Sequence, residues 1–195
     1  MASVRFEDEN GIKYGIERTG NVPHVIVKGP VDSKTLALEV ISYAHHEIHS
    51  GSMYMNEATA TIGANAIGDT LVVTPPGLAF AHMFHEAIVE AAMVLSVFED
   101  CTVAASGTWL QSYNHNRNSA SAPGLKFYAS PTVTNAGTRI LQEAAGSGQK
   151  AGGDTRETHE IIYKPSTLYL YRCLNLSAQA KWISNKFNYY NHTDK

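Results

Sequence analysis

The stretch Gly107-Thr-Trp-Leu-Gln-Ser-Tyr-Asn-His-Asn-Arg-Asn-Ser119 changes character halfway along its length. Its first half is an aromatic, strand-like run, and its second half is rich in asparagine. Asparagine tolerates the left-handed backbone region, and its amide bonds readily to neighbouring main chain. Asn114, Asn116 and Asn118 therefore predict a tight, self-bonded loop that follows a strand.

On both sides of this stretch the chain breaks into short β-branched or aromatic runs separated by Gly, Pro, Asn or Ser. The runs are Asp69–Thr74, Thr102–Ala105, Thr108–Tyr113, Lys126–Ala129, Thr138–Glu143, Thr158–Tyr163, Thr167–Asn175 and Trp182–Tyr190. Many short strands with regular turn signals are typical of a sandwich or jelly roll. We predict a mainly β fold, an antiparallel β-sandwich of jelly-roll type. Because aromatics at strand spacing usually face the interior, Trp109, Tyr113 and Trp182 are predicted core residues.

The length of 195 residues suits one domain with an N-terminal extension. Val22–Lys28 is a short β-branched run bounded by Pro23, Gly29 and Pro30. We predict an N-terminal arm with a short hairpin over residues 1–35, and the sandwich domain over residues 36–195.

Two segments fit both a helix and strands. Asp32 and Ser33 are suited to cap a helix that extends through Ala44. The alternative interpretation is strand structure from Leu36 on to Ile62, and we favour this alternative. Over residues 78–98 the helix formers of Ala81–Leu95 favour a helix. Against the helix, apolar residues alternate along Met93–Phe98, and this alternation favours a hairpin.

The charge balance argues against two classes of partner. The formal net charge is -3, with 15 basic and 18 acidic residues, so we expect neither nucleic acid nor a membrane as a partner. Cys101 and Cys173 match no metal spacing and are expected to be two separate buried thiols.

Two clusters of histidine and glutamate are candidate sites of chemistry. His45, Glu47 and His49 share one face if their segment is a strand, and a second cluster holds His82, His85 and Glu86. Neither completes a known metal signature, because Val89 stands where a zinc protease needs its second histidine. No serine or carboxylate pair is spaced for catalysis. We expect no metal, no cofactor and no enzymatic activity.

The glycine-rich segment and the aromatic residues are two possible ligand-binding features. The glycines from Gly146 onwards resemble a phosphate loop only faintly, and a flexible glycine hairpin is the preferred interpretation. A carbohydrate platform is an alternative to core packing for the aromatic residues, namely Trp109, Tyr113, Trp182, Tyr189 and Tyr190.

Several ordered motifs resemble virion structural proteins of tailed bacteriophages. They are Gly107–Ser119, His45-His-Glu-Ile-His-Ser-Gly51, Pro131-Thr-Val-Thr134 with Gly137-Thr138, Gly146-Ser-Gly148 with Gly152-Gly153 and Arg156, and Trp182-Ile-Ser184 ahead of Tyr190-Asn-His-Thr-Asp194. The resemblance covers roughly residues 40 to 194. In such relatives the segment matching Ala81–Phe98 is strand-like, and for this reason we favour the hairpin.

The resemblance implies a head decoration, or cement, protein: a β-sandwich that binds the outer capsid surface as a homotrimer and braces neighbouring capsomers. The implied partners are the major capsid protein and further copies of the chain. The implied location is the virion, after synthesis in the host cytoplasm. Expected assembly contacts are Asn114, Asn116, Arg117, Asn118 and Arg156. A tail or spike protein that binds a receptor or carbohydrate, and a hydrolase with zinc at His45 and His49, are the alternatives.

Overall fold

The structure is a computed structural model, and it describes residues 4–7, 13–19, 22–26, 43–77, 80–146 and 160–192. Backbone contacts divide the chain into two units, Met1–Tyr43 and Ala44–Lys195. The predicted boundary between arm and sandwich, at residue 35, lies outside the described residues, as does the interior of the proposed helix from Asp32.

The first unit contains a three-stranded antiparallel sheet. Its strands are β1 (Val4–Glu7), β2 (Lys13–Thr19) and β3 (Val22–Ile26), in the order β1-β2-β3. The first five residues of the predicted β run Val22–Lys28 form β3, and residues 27 and 28 lie outside the described residues. Pro23 lies in this strand opposite Arg18. Proline has no backbone N–H to donate to a neighbouring strand. It therefore suits β3, which is an edge strand of this sheet.

The second unit is built mainly from strands, preceded by the helix α1 (Tyr43–Ser50). The strands are β4 (Met53–Ile62), β5 (Ile67–Val73), β6 (Phe80–Val89), β7 (Met93–Glu99), β8 (Thr102–Ala105), β9 (Thr108–Leu110), β10 (Tyr113–Asn114), β11 (Lys126–Ala129), β12 (Thr132–Asn135), β13 (Thr138–Ala145), β14 (Ile161–Tyr163), β15 (Leu168–Asn175) and β16 (Lys181–His192). They form a five-stranded sheet (β10-β4-β16-β6-β14), a six-stranded sheet (β13-β7-β15-β5-β11-β9) and a two-stranded ribbon (β12-β8). All their pairings are antiparallel, which confirms the prediction of a mainly β, antiparallel fold.

Eight of these strands pair in a nested order. The first pairs with the last: β4 with β16, then β5 with β15, β6 with β14, and β7 with β13. From β4 to β7 the chain alternates between the five-stranded and the six-stranded sheet, and it does so again from β13 to β16. Pairing of β16 with β6, and of β15 with β7, joins the nested pairs within each sheet. The nested set therefore behaves as one long antiparallel ribbon divided between two sheets.

The main hydrophobic core is shared by the two large sheets. Tyr54, Met83 and Phe187 enter it from the five-stranded sheet, and Phe127 and Tyr171 from the six-stranded sheet. Aromatic rings meet across it in tilted and edge-on arrangements, the geometries that favour aromatic pairs. Burial of this apolar surface is the main force that holds the sheets together.

A smaller core lies on the opposite side of the six-stranded sheet. Leu71 and Leu170 are fully buried there with Cys101, although they alternate along their strands with residues of the main core. Val103 of β8 and Val133 of β12 pack against them. The two-stranded ribbon therefore covers part of this outer face.

Strands β6 and β7 lie where strands are favoured over a helix, but the two strands are not a hairpin. Strands β6 and β7 belong to different sheets, so each pairs with other strands. The inward residues Ala81, Met83 and Ala87 alternate with outward ones along β6. His82, Glu86 and Glu90 are spaced by four residues, which keeps residues on one face both in a helix and in a strand, so this spacing does not distinguish the two.

The strand prediction for the segment from Leu36 to Ile62 is wrong at Tyr43–Ser50, which forms α1, and right at Met53–Ile62. The helix ends with Gly51 in the left-handed region, at a φ of 75°. Gly51 N donates to Ile48 O (3.1 Å), and Ser52 N donates to Glu47 O (3.1 Å). This pair of bonds is the Schellman termination of a helix, and it requires an adaptable residue at Gly51.

The prediction that Trp109, Tyr113 and Trp182 are core residues is wrong. Their exposed fractions are 56%, 49% and 41%. On β16 the buried residues Ile183, Phe187 and Tyr189 have the opposite parity to Trp182, so the indole lies on the outer face. The spacing of aromatic residues does not determine which face of a strand is inward, and for this reason the core prediction fails here.

We therefore expect Trp182→Ala to lower the free energy of unfolding by at most about 1 kcal/mol, since surface substitutions usually have small effects. Urea denaturation of the variant and the wild type measures the difference. A loss of about 3 kcal/mol or more, typical of core aromatics, would show that the indole is buried.

Candidate functional site

We call residues Tyr113–Ser119 the asparagine loop. Asn114 is buried, its Nδ2 donates to Gly51 O (2.7 Å), and its Oδ1 accepts from Asn116 N (2.8 Å). Asn116 Oδ1 accepts in turn from Asn118 N (3.1 Å). These are two successive Asx turns, in which a side chain replaces a main-chain acceptor. The predicted self-bonded loop is confirmed at Asn114 and Asn116.

The asparagine loop is attached to the end of α1. Besides the bond from Asn114 to Gly51, Asn116 Nδ2 donates to His49 O (3.2 Å). The last carbonyls of a helix have no partner within it, so amide side chains that reach them stabilise its end. The motif His45–Gly51 and the asparagine loop, distant in sequence, therefore form one local structure.

The outer side of the loop carries Tyr113 and Arg117. Tyr113 is half exposed and lies opposite Met55, at the edge of the five-stranded sheet. The guanidinium carbon of Arg117 lies 5.2 Å from the centroid of the Tyr113 ring, a cation–π contact. Arg117 is exposed and makes no hydrogen bond or ion pair with any residue that the structure describes.

His115 fixes the loop to the sheet from the other side. Its main-chain N donates to Met53 O (2.9 Å), and its Nε2 lies 2.9 Å from Asn188 Oδ1 on β16. Sequence reasoning missed His115, Met55 and Asn188 as members of this site. The alternation along β4, in which Met55 has the outward parity, was the available signal for Met55.

The structure brings together Asn114, Asn116, Arg117 and Asn118, as their adjacency requires. Asn114 and Asn116 form hydrogen bonds within the chain, so Arg117 and Asn118 supply most of the accessible polar surface of the asparagine loop. Arg156 lies outside the described residues. Whether any of them contacts another chain stays a prediction.

The exposed aromatic residues do not form one platform. Tyr113 lies opposite Met55 and Trp182 opposite Thr61, so the two are six residues apart along β4, about 20 Å. Trp109 lies on β9, in the other sheet. Tyr189 and Tyr190 are buried. A sugar ring could not contact all of them.

The members of each predicted histidine cluster do not lie on one common face. His45, Glu47 and His49 lie in α1 rather than in a strand, and since successive helical residues turn by about 100°, Glu47 and His49 point to opposite sides of the helix. On β6, His82 faces outward beside Glu160, and His85 faces the core. Within the part of the chain that the structure describes, no three His, Cys, Asp or Glu residues are arranged to hold a metal ion.

The free thiols are both buried. Burial raises the pKa of Cys173 to about 12 and also raises the pKa of Cys101. Because the thiolate is the reactive form, these cysteines are poor nucleophiles.

His85 is a polar residue in the main core. Its ring packs against Tyr171 and Phe187, with centroid distances of 4.6 and 5.0 Å, and its Nε2 donates to Asn185 Oδ1 (3.0 Å). Glu143 and Arg172 line a small cavity beside it. Burial lowers the pKa of His85 from 6.5 to about 4, against a smaller opposing effect of the Asn185 bond.

This shift makes stability depend on pH. The unfolded chain binds a proton at His85 below pH 6.5, and the folded chain only below about pH 4, so stability falls as the pH falls between these values. The full shift corresponds to about 3 kcal/mol, and because His85 is only partly buried the expected loss is about 2 kcal/mol. Urea denaturation between pH 7 and 4 measures the loss. A His85→Gln variant with the same pH profile as the wild type would contradict this origin.

No helix among the described residues is both long and apolar enough to span a membrane. Comparison of the chain with models of known protein families found no match. Searches of curated proteins and of solved structures found no significant match either.

Proposed function

We propose that the protein is a non-enzymatic structural protein of a tailed bacteriophage virion, and specifically a head decoration, or cement, protein. In this role an antiparallel β-sandwich of jelly-roll type binds the outer capsid surface as a homotrimer and braces neighbouring capsomers. Its partners are the major capsid protein and other copies of itself. The protein is made in the host cytoplasm and resides on the virion. No nucleic acid, membrane, metal or cofactor takes part.

The observation that carries the proposal is the nested pairing of eight strands. Jelly rolls are double-sheet folds of eight strands, so an antiparallel ribbon of eight strands that is divided between two sheets supports this part of the proposal. Strands β4, β16, β6 and β14 supply one sheet of it, and β5, β15, β7 and β13 the other. Jelly rolls are frequent in viral capsid proteins and also in lectins, so the fold supports the virion role without determining it.

The motifs that resemble phage virion proteins add support from particular residues. His45–Gly51 and the asparagine loop, two of these motifs, pack against each other through Asn114 and Asn116. Asn114 and Asn116 hold this surface in one conformation, and such a surface suits a contact that every copy of the protein makes in the same way. We propose that the asparagine loop and Arg156 supply trimer contacts, and that the N-terminal arm over residues 1–35 reaches the capsid.

Sedimentation tests the proposal. We expect the purified protein to sediment with the mass of three chains of 21.2 kDa, and to pellet with undecorated capsids. Deletion of residues 1–20 should leave the trimer intact and weaken capsid binding. A monomer that stays in the supernatant with such capsids would overturn the decoration role.

A tail or spike protein that binds a receptor or carbohydrate is the second candidate. It is favoured by the exposure of Trp109, Tyr113 and Trp182, since exposed aromatic rings stack on sugars and anchor protein contacts. Immunogold labelling of purified particles separates the two roles. Label at the tail rather than over the head would favour the receptor-binding role.

A further inference from the structure

We propose that Arg117, Tyr113 and Met55 form a protein-binding site that takes a carboxylate side chain from its partner, with an apolar contact beside it. The inference names the chemistry of the contact made by the asparagine loop. It rests on the proposed function only for the identity of the partner, a second copy of this chain.

The three residues lie together on the outer face of the five-stranded sheet. Tyr113 of β10 pairs with Met55 of β4, and Met55 pairs with Asn188 of β16. Tyr113 and Met55 have exposed fractions of 49% and 38%, which leaves a continuous apolar surface next to the guanidinium. Tyr, Met and Arg are among the residues enriched at protein interfaces, so this composition favours a protein partner.

Arg117 is positioned to accept an anion. Contact with the Tyr113 ring holds its planar group, while none of its N–H donors is used by another described residue. A guanidinium presents a fork of donors that matches both oxygens of a carboxylate. Glu57, the next outward residue on β4, already accepts a hydrogen bond from Ser184 Oγ. The N–H donors of Arg117 are therefore available to a carboxylate from outside the chain.

The site is also pre-organised. Asn114, Asn116 and His115 fix the loop to Gly51, His49, Met53 and Asn188. A rigid loop loses little conformational entropy when a partner binds, so most of the contact energy is retained as affinity. The positive charge of Arg117 favours an acidic group over a basic one at this contact.

The first experiment tests the carboxylate site on the protein alone. The probe is glutarate, its neutral control is glutaramide, and the readout is the NMR signal of the Arg117 Nε–H group, assigned from its loss in Arg117→Lys. Arg139, an exposed arginine on β13, is the matched control. We expect a saturable shift at Arg117 with glutarate, at least tenfold smaller responses at Arg139, and none with glutaramide. Equal responses at the two arginines, or to the two probes, would overturn the inference.

The second experiment tests the site in assembly. We expect Arg117→Lys, which keeps the charge but loses the planar fork, and Met55→Ser each to weaken self-association at least fivefold, while Arg139→Lys leaves it unchanged. If the wild type neither self-associates nor binds capsids, the proposed function fails, and the glutarate titration still decides this inference. If the wild type assembles and all three variants match it, the inference fails and the proposed function stands.

Discussion

Replacement of Phe187 by alanine lowers the free energy of unfolding by about 3 to 5 kcal/mol, the usual cost of a large aromatic truncation in a core. Phe187 is fully buried, and its ring centroid lies 5.1 Å from that of Phe127 and 4.9 Å from that of Tyr171. Both partners belong to the six-stranded sheet, whereas Phe187 belongs to the five-stranded one. The variant therefore loses contacts that join the two sheets, and it leaves a cavity between them.

Urea denaturation of Phe187→Ala and Trp182→Ala tests this expectation on one strand. Both changes remove a large aromatic side chain from β16, but only Phe187 has the inward parity. The ratio of the two losses therefore reports burial rather than a general effect on the strand. Similar losses in the two variants would contradict the assignment of the inner face of β16.

Much of the strand content was predictable from local sequence. The runs at Thr102–Ala105 and Lys126–Ala129 match β8 and β11 at both ends, and the run from Thr138 begins β13. Such runs are short, rich in β-branched or aromatic residues, and bounded by turn residues, so propensity and termination agree. The terminal run Trp182–Tyr190 was also found, within two residues of the ends of β16.

The orientation of each strand was less predictable. Trp109 and Trp182 were assigned to the core, yet both lie on outer faces. A shift of one residue moves every side chain of a strand to its other face, and large aromatic residues occur on both. Only the pairing of β16 with β4 and β6 determines that Phe187 is inside and Trp182 outside.

The candidate site was predictable only in part, because it joins distant segments. The asparagine cluster indicated a tight loop, and the structure has one. Nothing in that cluster indicated Met55 or Asn188, which approach it through the pairing of β4 with β10 and β16. The helix α1 was missed because its eight residues are few for a periodic signal, and its stability depends on the bonds that cap its end.

Gly107→Ala is expected to lower the free energy of unfolding by about 2 to 5 kcal/mol. Gly107 has a φ of 90°, where a side chain costs about 1 to 2 kcal/mol in backbone strain. A Cβ atom at this position would lie 2.2 Å from the Ala129 carbonyl oxygen and 2.8 Å from that of Ser130. Main-chain atoms cannot rotate aside as a side chain does, so β9 and β11 must separate, and overpacking of this kind adds about 1 to 3 kcal/mol.

Gly77→Ala isolates the second contribution. Gly77 has a φ of 80°, close to that of Gly107, but a Cβ atom there would meet no atom of the described residues within 4 Å. We expect this control to lose only the backbone strain, about 1 to 2 kcal/mol. Urea denaturation of both variants then gives the cost of the contact with Ala129 as the difference between them. Equal losses would mean that the close approach of Gly107 to the end of β11 is absent. A larger loss at Gly107 would explain why the strand that leads into the asparagine loop begins directly after a glycine.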